Sequence, residues 1–152
     1  TFQSYQPKPS LLLIENEECF FRYPELLPVC GQMLALEFSL QNTDIGFASG
    51  SKASSALLMP FYHQYQQIYC AFDFDAAALE LFDLLKQRLG DKLLFVTPAD
   101  FSLWQGLFNN KPKHPNHLAK ALELAEKHHF YALLEVLQRK GCFLEQEALL
   151  NN

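Results

Sequence analysis

The pattern of apolar and polar positions is organised around Ile68 to Phe108, where it reads strand, helix, strand, helix, with imperfect alternation in the first strand. Ile68-Tyr-Cys-Ala-Phe-Asp-Phe74 is short, aromatic and β-favouring, which predicts a strand with both faces at least half covered. Asp73 or Asp75 then caps a helix from Ala76 to about Leu89, because a carboxylate accepts the free N–H groups of a first helical turn. Leu81, Leu84, Leu85 and Leu89 fall on one stripe of that helix, flanked by Ala78 and Phe82. Gly90 is the expected left-handed stop. Leu93-Leu-Phe-Val96 predicts a second strand, apolar on both faces. Thr97-Pro-Ala-Asp100 has the order of an N-cap, a proline at N1 and an acid at N3, so a further helix is expected, with Phe101, Trp104, Leu107 and Phe108 inside. A β-α-β connection of this length favours a parallel pair with a right-handed crossover.

Upstream, Leu11 to Ile14 predicts a strand, and Cys19-Phe-Phe-Arg-Tyr23 a hairpin partner for it. Residues 24–36 follow a helical pattern, with Pro28 in the first turn. Residues 41–55 carry Asn, Asp, Gly and Ser around only Ile45 and Phe47, which predicts a loop. Thr1 to Pro9 reads as a polar linker. Asn109-Asn-Lys-Pro-Lys-His-Pro115 is the sharpest boundary in the chain. Beyond it, Asn116 caps a helix to about Lys127, His128-His129 turns the chain, and residues 130–140 form a partner helix stopped by Gly141. Residues 145–150 add a last short helix. The predicted architecture is α/β, with α+β as the alternative. It has a small sheet built on a βαβα unit over residues 1–110, and a helical hairpin appendage over residues 111–152 packed on it.

Composition narrows the function more than the fold. The 152 residues are 49% hydrophobic and 19% charged, with net charge −5 and no basic cluster, which disfavours nucleic acid as a partner. No apolar run approaches the roughly 20 residues of a membrane span, so direct membrane insertion is not expected. Cys19, Cys30, Cys70 and Cys142 form no CxxC pair and read as reduced thiols of a cytoplasmic protein. The first residue is Thr, so a fragment of a longer protein is expected.

Two local resemblances add expectations. Glu25 to Leu36, then Leu57-Leu-Met-Pro-Phe61 through Phe108, including Leu79-Glu-Leu-Phe-Asp-Leu-Leu-Lys-Gln-Arg-Leu-Gly90, resembles the N-terminal domain of type II secretion and type IV pilus assembly ATPases. That resemblance implies a domain that docks a motor onto a membrane-platform protein. Some members bind cyclic di-GMP through an Arg-Leu-Gly-x-x-Leu motif in an N-terminal helix. Here Arg88-Leu-Gly90 ends a later helix, so cyclic di-GMP is disfavoured and no nucleotide-contacting residue carries over. Ala121 to Cys142 resembles one ankyrin repeat, with Asn116-His-Leu-Ala119 where the family has Thr-Pro-Leu-His. One repeat cannot bury its own face, so a hairpin packed on the α/β unit is favoured over the start of a repeat array.

Candidate chemistry falls into four groups. His114, His117, His128 and His129, with Cys142, lack the paired spacing of a zinc site and read as surface and turn histidines, so no metal is expected. Cys30 with His63, oriented by Asp73 or Asp44, is a nucleophile–base candidate without a local signature. Asp73, Asp75, Asp83, Asp91 and Asp100 gather near strand ends, where open parallel sheets bind ligands. Asp73 and Asp75 there would suit a metal and a phosphate, against the simpler reading as helix caps. Phe20, Phe21 and Tyr23, and Tyr62, Tyr65 and Tyr69, form two aromatic clusters; those left outside would suit a protein interface. The expected function is a non-catalytic adaptor of a bacterial machine, secretion or pilus assembly first, with another protein as partner and no cofactor. The alternatives are a small enzyme using Cys30/His63 or Asp73/Asp75, and an ankyrin-containing effector fragment that binds a host protein.

Overall fold

Four consecutive aliphatic residues, Leu11 to Ile14, are buried on both sides of one strand, so layers cover the sheet above and below. The computed structural model describes residues 6–48 and 50–150; the first five residues of the polar start lie outside the described part. The strands are β1 (Ser10–Ile14), β2 (Thr43–Phe47), β3 (Gln67–Ala71) and β4 (Leu93–Phe95). They form one parallel sheet in the order β2-β1-β3-β4. The helices are α1 (Glu17–Phe21), α2 (Tyr23–Leu34), α3 (Met59–Tyr62), α4 (Ala76–Leu89), α5 (Pro115–Lys127) and α6 (Tyr131–Lys140). The fold is α/β, and the central strand-helix-strand unit is parallel as its pattern requires.

Several elements differ from their sequence patterns. Cys19–Tyr23 is no hairpin strand. Asn16 Oδ1 accepts the Cys19 amide at 3.1 Å and caps α1, and Glu17 and Glu18 suit its positive end. The expected loop at 41–55 contains β2, which takes its order from pairing with the buried β1 and not from its own two apolar side chains. β4 lies at the sheet edge, so Leu94 is exposed and only one face is covered. The helix expected from Thr97 does not form. Asp100 Oδ1 instead accepts the Ser102 amide at 2.8 Å and its hydroxyl at 2.6 Å, a local turn that competes with helix. Gly90 has φ 68° and ψ −143°, an extended glycine conformation and not a left-handed cap, and it opens the short turn Gly90–Lys92 that leads into β4. α5 begins at Pro115 after His114, so Asn116 is inside the helix and does not cap it.

The hairpin α5–α6 lies on α4. Asp83 on α4 holds Lys127 at 2.7 Å and His128 Nε2 at 2.8 Å at the hairpin turn. One continuous core joins Leu12, Leu79 and Phe95 to Ala121, Leu124 and Leu137. Residues beyond α6 are not a loose appendage. Leu144 pairs with Phe74 through two backbone bonds of 2.9 and 3.2 Å, and Phe143 pairs with Asn110 at 2.7 and 3.0 Å. The chain end therefore returns to the carboxyl edge of the sheet.

α2 ends at Ala35, a non-glycine residue with φ 54° and ψ 42°. A side chain there costs about 1 kcal/mol relative to glycine. Ala35→Gly is expected to raise the urea midpoint by the equivalent of about 0.5–1 kcal/mol, with the slope unchanged.

Candidate functional site

The sheet order reverses direction between β1 and β3, and such switch points open a crevice at the carboxyl ends of the strands. Ile14 pairs with Ala71 in register, so the residues that follow each strand leave the sheet together. Glu15 follows β1, and its Oε1 accepts the Asp73 amide at 2.9 Å. Asp73 Oδ1 accepts the Gln146 amide at 2.6 Å and Asn16 Nδ2 at 3.5 Å. Asn16 Nδ2 also donates to Glu147. Asp75 caps α4, accepting the Ala78 amide at 2.9 Å, so of the two candidate caps it is Asp75 that does this work. Glu145 bonds Glu147 and accepts Asn110 Nδ2 at 3.0 Å, close enough to Asp75 to feel its charge. Three distant segments, 15–16, 73–75 and 145–147, thus bring five carboxyl groups to one edge.

The electrostatics of Glu15, Asp73, Asp75 and Glu145 are unfavourable as they stand. Burial, then the charge of Asp73, pushes Glu15 up to about 8. Burial pushes Asp73 up to about 7 against the Gln146 amide, with Asp75 and Glu147 adding to the rise. Asp75 is also raised by burial, while its bond to the Ala78 amide and the nearby His117 oppose the shift. Glu145 is raised first by its hydrogen bond to Glu147. Among the described residues, no Lys or Arg forms an ion pair with any of the five. Gln146 is 3% exposed, and its side-chain oxygen has no hydrogen-bond partner. Among the described residues, no three acidic, histidine or cysteine side chains already close around one point tightly enough to hold a metal ion. The carboxylates of Glu15, Asp73 and Asp75 are turned onto backbone amides instead.

A half-open cleft of about 390 Å³ adjoins this edge, formed by the first turn of α4, residues 110–113 and Glu145. Lys111, Lys113 and His117 share it with Asp75, Glu80 and Glu145.

The sequence singled out Asp73 and Asp75, and the structure brings them together. It does not bring Asp83, Asp91 or Asp100 to them: Asp83 serves the hairpin, Asp91 lies in the turn before β4, and Asp100 holds Ser102. Glu15, Glu145 and Glu147 were missed. The signal for Glu15 was its position directly after the predicted strand Leu11 to Ile14.

Cys30 lies 1% exposed on α2, and burial pushes its thiol up to about 12, which works against a nucleophilic thiolate. His63 caps the far end of α3, a separate element. All four cysteines are free thiols. A disulfide-exchange dye is expected to modify half-buried Cys142 first, with Cys19, Cys30 and Cys70 reacting only on unfolding.

Of the aromatic candidates, Phe20, Phe21 and Tyr23 line a surface cleft of about 400 Å³ with Leu40 and Ile45, and Phe21 is 73% exposed. Tyr62 and Tyr65 are core residues and not surface ones. Their hydroxyls donate to the Ala53 carbonyl at 2.8 Å and to Asp44 at 2.7 Å, which removes the polar reason for exposure. No helix among the described residues is long and apolar enough to cross a membrane.

No protein-family model, curated protein or solved structure matches this chain, so the site is read from its own chemistry.

Proposed function

We propose that the chain is a divalent-cation-dependent enzyme that cleaves phosphodiester bonds. The carrying observation is the placement of Glu15 and Asp73 side by side at the switch point, with Asp75, Glu145 and Glu147 beside them and no basic side chain in ion-pair contact. An all-oxygen donor set suits Mg²⁺ or Mn²⁺ over zinc. Buried carboxylates with raised proton affinity are relieved when a cation takes the proton's place. Clusters of acids that hold metal ions serve in-line displacement at phosphorus in polymerases and nucleases.

In this reading Glu15 and Asp73 would hold the cation, which would supply neutralisation of the phosphate and of the developing charge. The oxygen of a water would bond to phosphorus as one P–O ester bond breaks, and the proton released by that water would pass to the leaving oxygen. Of the alternatives raised by the sequence, this is the one built on Asp73 and Asp75.

The test uses plasmid and single-stranded DNA with Mg²⁺ or Mn²⁺. Cleavage should stop with chelator and fall more than about a hundredfold in Asp73→Asn, beyond the loss of an outer-shell partner. Absence of cleavage, together with no rise in melting temperature on adding either cation above about pH 7, would overturn the reading.

A second reading keeps the adaptor role and places a protein partner on Phe20, Phe21 and Tyr23. Phe21 favours it, as a large apolar side chain left 73% exposed beside a cleft. Phe21→Glu would then lose a co-purifying partner while leaving DNA cleavage unchanged.

A further inference from the structure

We infer that the cleft between Thr97 and the start of α6 is a binding site for a phosphate group. Thr97 comes just after β4, so the cleft opens at the carboxyl end of the parallel sheet, the end at which such sheets hold ligands. It measures about 360 Å³, and its walls include Thr97, His129 and Phe130 at the hairpin turn, and Tyr131, Ala132 and Leu133 in the first turn of α6. None of these residues lines the acidic cleft, so the site stands whether or not the phosphodiester reading does.

Two independent features point to an anion. One is the helix end. α6 has ten residues, and Phe130 at its N-cap makes no side-chain hydrogen bond to the first turn. A Ser, Thr, Asp or Asn there would satisfy one of the free amides. That position is taken by packing instead: the Phe130 ring stacks on Phe95 at 5.0 Å and meets Phe82 at 5.5 Å. The helical bonds begin with Leu134, which donates to the Phe130 carbonyl at 2.9 Å. The amides of Tyr131, Ala132 and Leu133 precede that ladder, at the end where the helix carries partial positive charge. The other feature is Thr97. Its hydroxyl oxygen is buried and, among the described residues, has no hydrogen-bond partner. The helix that Thr97 would cap does not form, which leaves the hydroxyl unclaimed. A buried hydroxyl without a partner is costly, and a ligand oxygen removes that cost.

The surrounding charges allow an anion. No acid lines the cleft. Asp100, nearby in sequence, is turned onto the Ser102 amide and hydroxyl at 2.8 and 2.6 Å. Glu135, one turn along α6, is paired with Arg139 at 2.9 Å. Donors come from two sides, the helix end and the segment after β4. That suits the three terminal oxygens of a tetrahedral phosphate better than the flat pair of a carboxylate. Tyr131 is 60% exposed, with its ring 5.5 Å from that of His129, and offers a rim on which the body of a phosphate ester can lie.

The experiment titrates the ¹⁵N-labelled full chain with inorganic phosphate, adenosine monophosphate, adenosine and acetate at constant ionic strength, read at the amides of Tyr131, Ala132 and Leu133. Phosphate and the monophosphate should shift these amides and saturate; adenosine and acetate should not. Thr97→Val removes only the hydroxyl. It is expected to melt no lower than the parent and to bind phosphate about tenfold more weakly. Ala132→Asp puts a carboxylate in the first turn, which suits the helix and repels the anion, so binding should be lost. Ala119→Asp, the same change at an exposed position of α5, should bind as the parent does. Tighter binding of the monophosphate would assign a phosphate ester, and equal binding free phosphate; both support the site. Parent-like binding by Thr97→Val or Ala132→Asp, an equal response to acetate, or no saturable shift with phosphate in the millimolar range would overturn it.

Discussion

Glu15→Gln is expected to melt higher than the parent at about pH 9 while losing cation-dependent cleavage. Glu15 is raised from 4.5 to about 8 by burial and by Asp73. Between these values the folded chain keeps the proton that the unfolded chain has lost. Stability therefore falls as pH rises through this window, and the full penalty stands above it. Glutamine removes the ionisation and still offers an oxygen to the Asp73 amide. Each pKa unit corresponds to about 1.36 kcal/mol, so relief of ~1–4 kcal/mol is expected above pH 8. The difference should vanish at about pH 4, where both states of the parent hold the proton. Mg²⁺ should raise the melting temperature of the parent at high pH but not that of the variant. Thermal melts at the two pH values, with and without cation, decide it. A variant that melts lower at high pH would show that the carboxylate stabilises the fold, contrary to the site described here.

Phe74→Ala is expected to cost ~3–5 kcal/mol, the range of large aromatic deletions in a core. Phe74 is 1% exposed, and its ring meets Phe101 at 5.2 Å, Phe95 at 5.8 Å and Phe108 at 6.0 Å between centroids. Its backbone also carries the ladder to Leu144. The variant should therefore lose global stability by urea titration and expose residues 143–150 to protease before the rest unfolds. If proteolysis of that segment were unchanged, Phe74 would be a packing residue without influence on the returning chain end.

The strand-helix-strand part of the central unit was legible because its signals agree, although Leu84, read on the buried stripe of α4, is 47% exposed and the helix read after Thr97 does not form. Ile68 to Phe74 is β-favouring, Asp75 caps, and the leucine stripe of α4 has one period. β2 was not legible, because its order comes from the ladder to β1 and only two of its residues are large and apolar. Tyr62 and Tyr65 look amphipathic in a glutamine-rich run, yet their hydroxyl partners, Ala53 and Asp44, are 9 and 21 residues away. The same distance hid most of the candidate site. Asp73 and Asp75 stand together in sequence, but Glu15 is 58 residues from Asp73, and Gln146 is 73. Only the strand order makes them neighbours.

The return of residues 143–150 to the sheet edge also has a consequence during synthesis. Domains generally fold as units once their parts have been made. β1, β3 and α4 are complete long before Glu145 and Glu147 are made. A nascent chain therefore carries the first three acids without the last two, and without the Gln146 amide on Asp73. The Gln146 amide and the last two acids reach this edge only once residues 145–147 have been made.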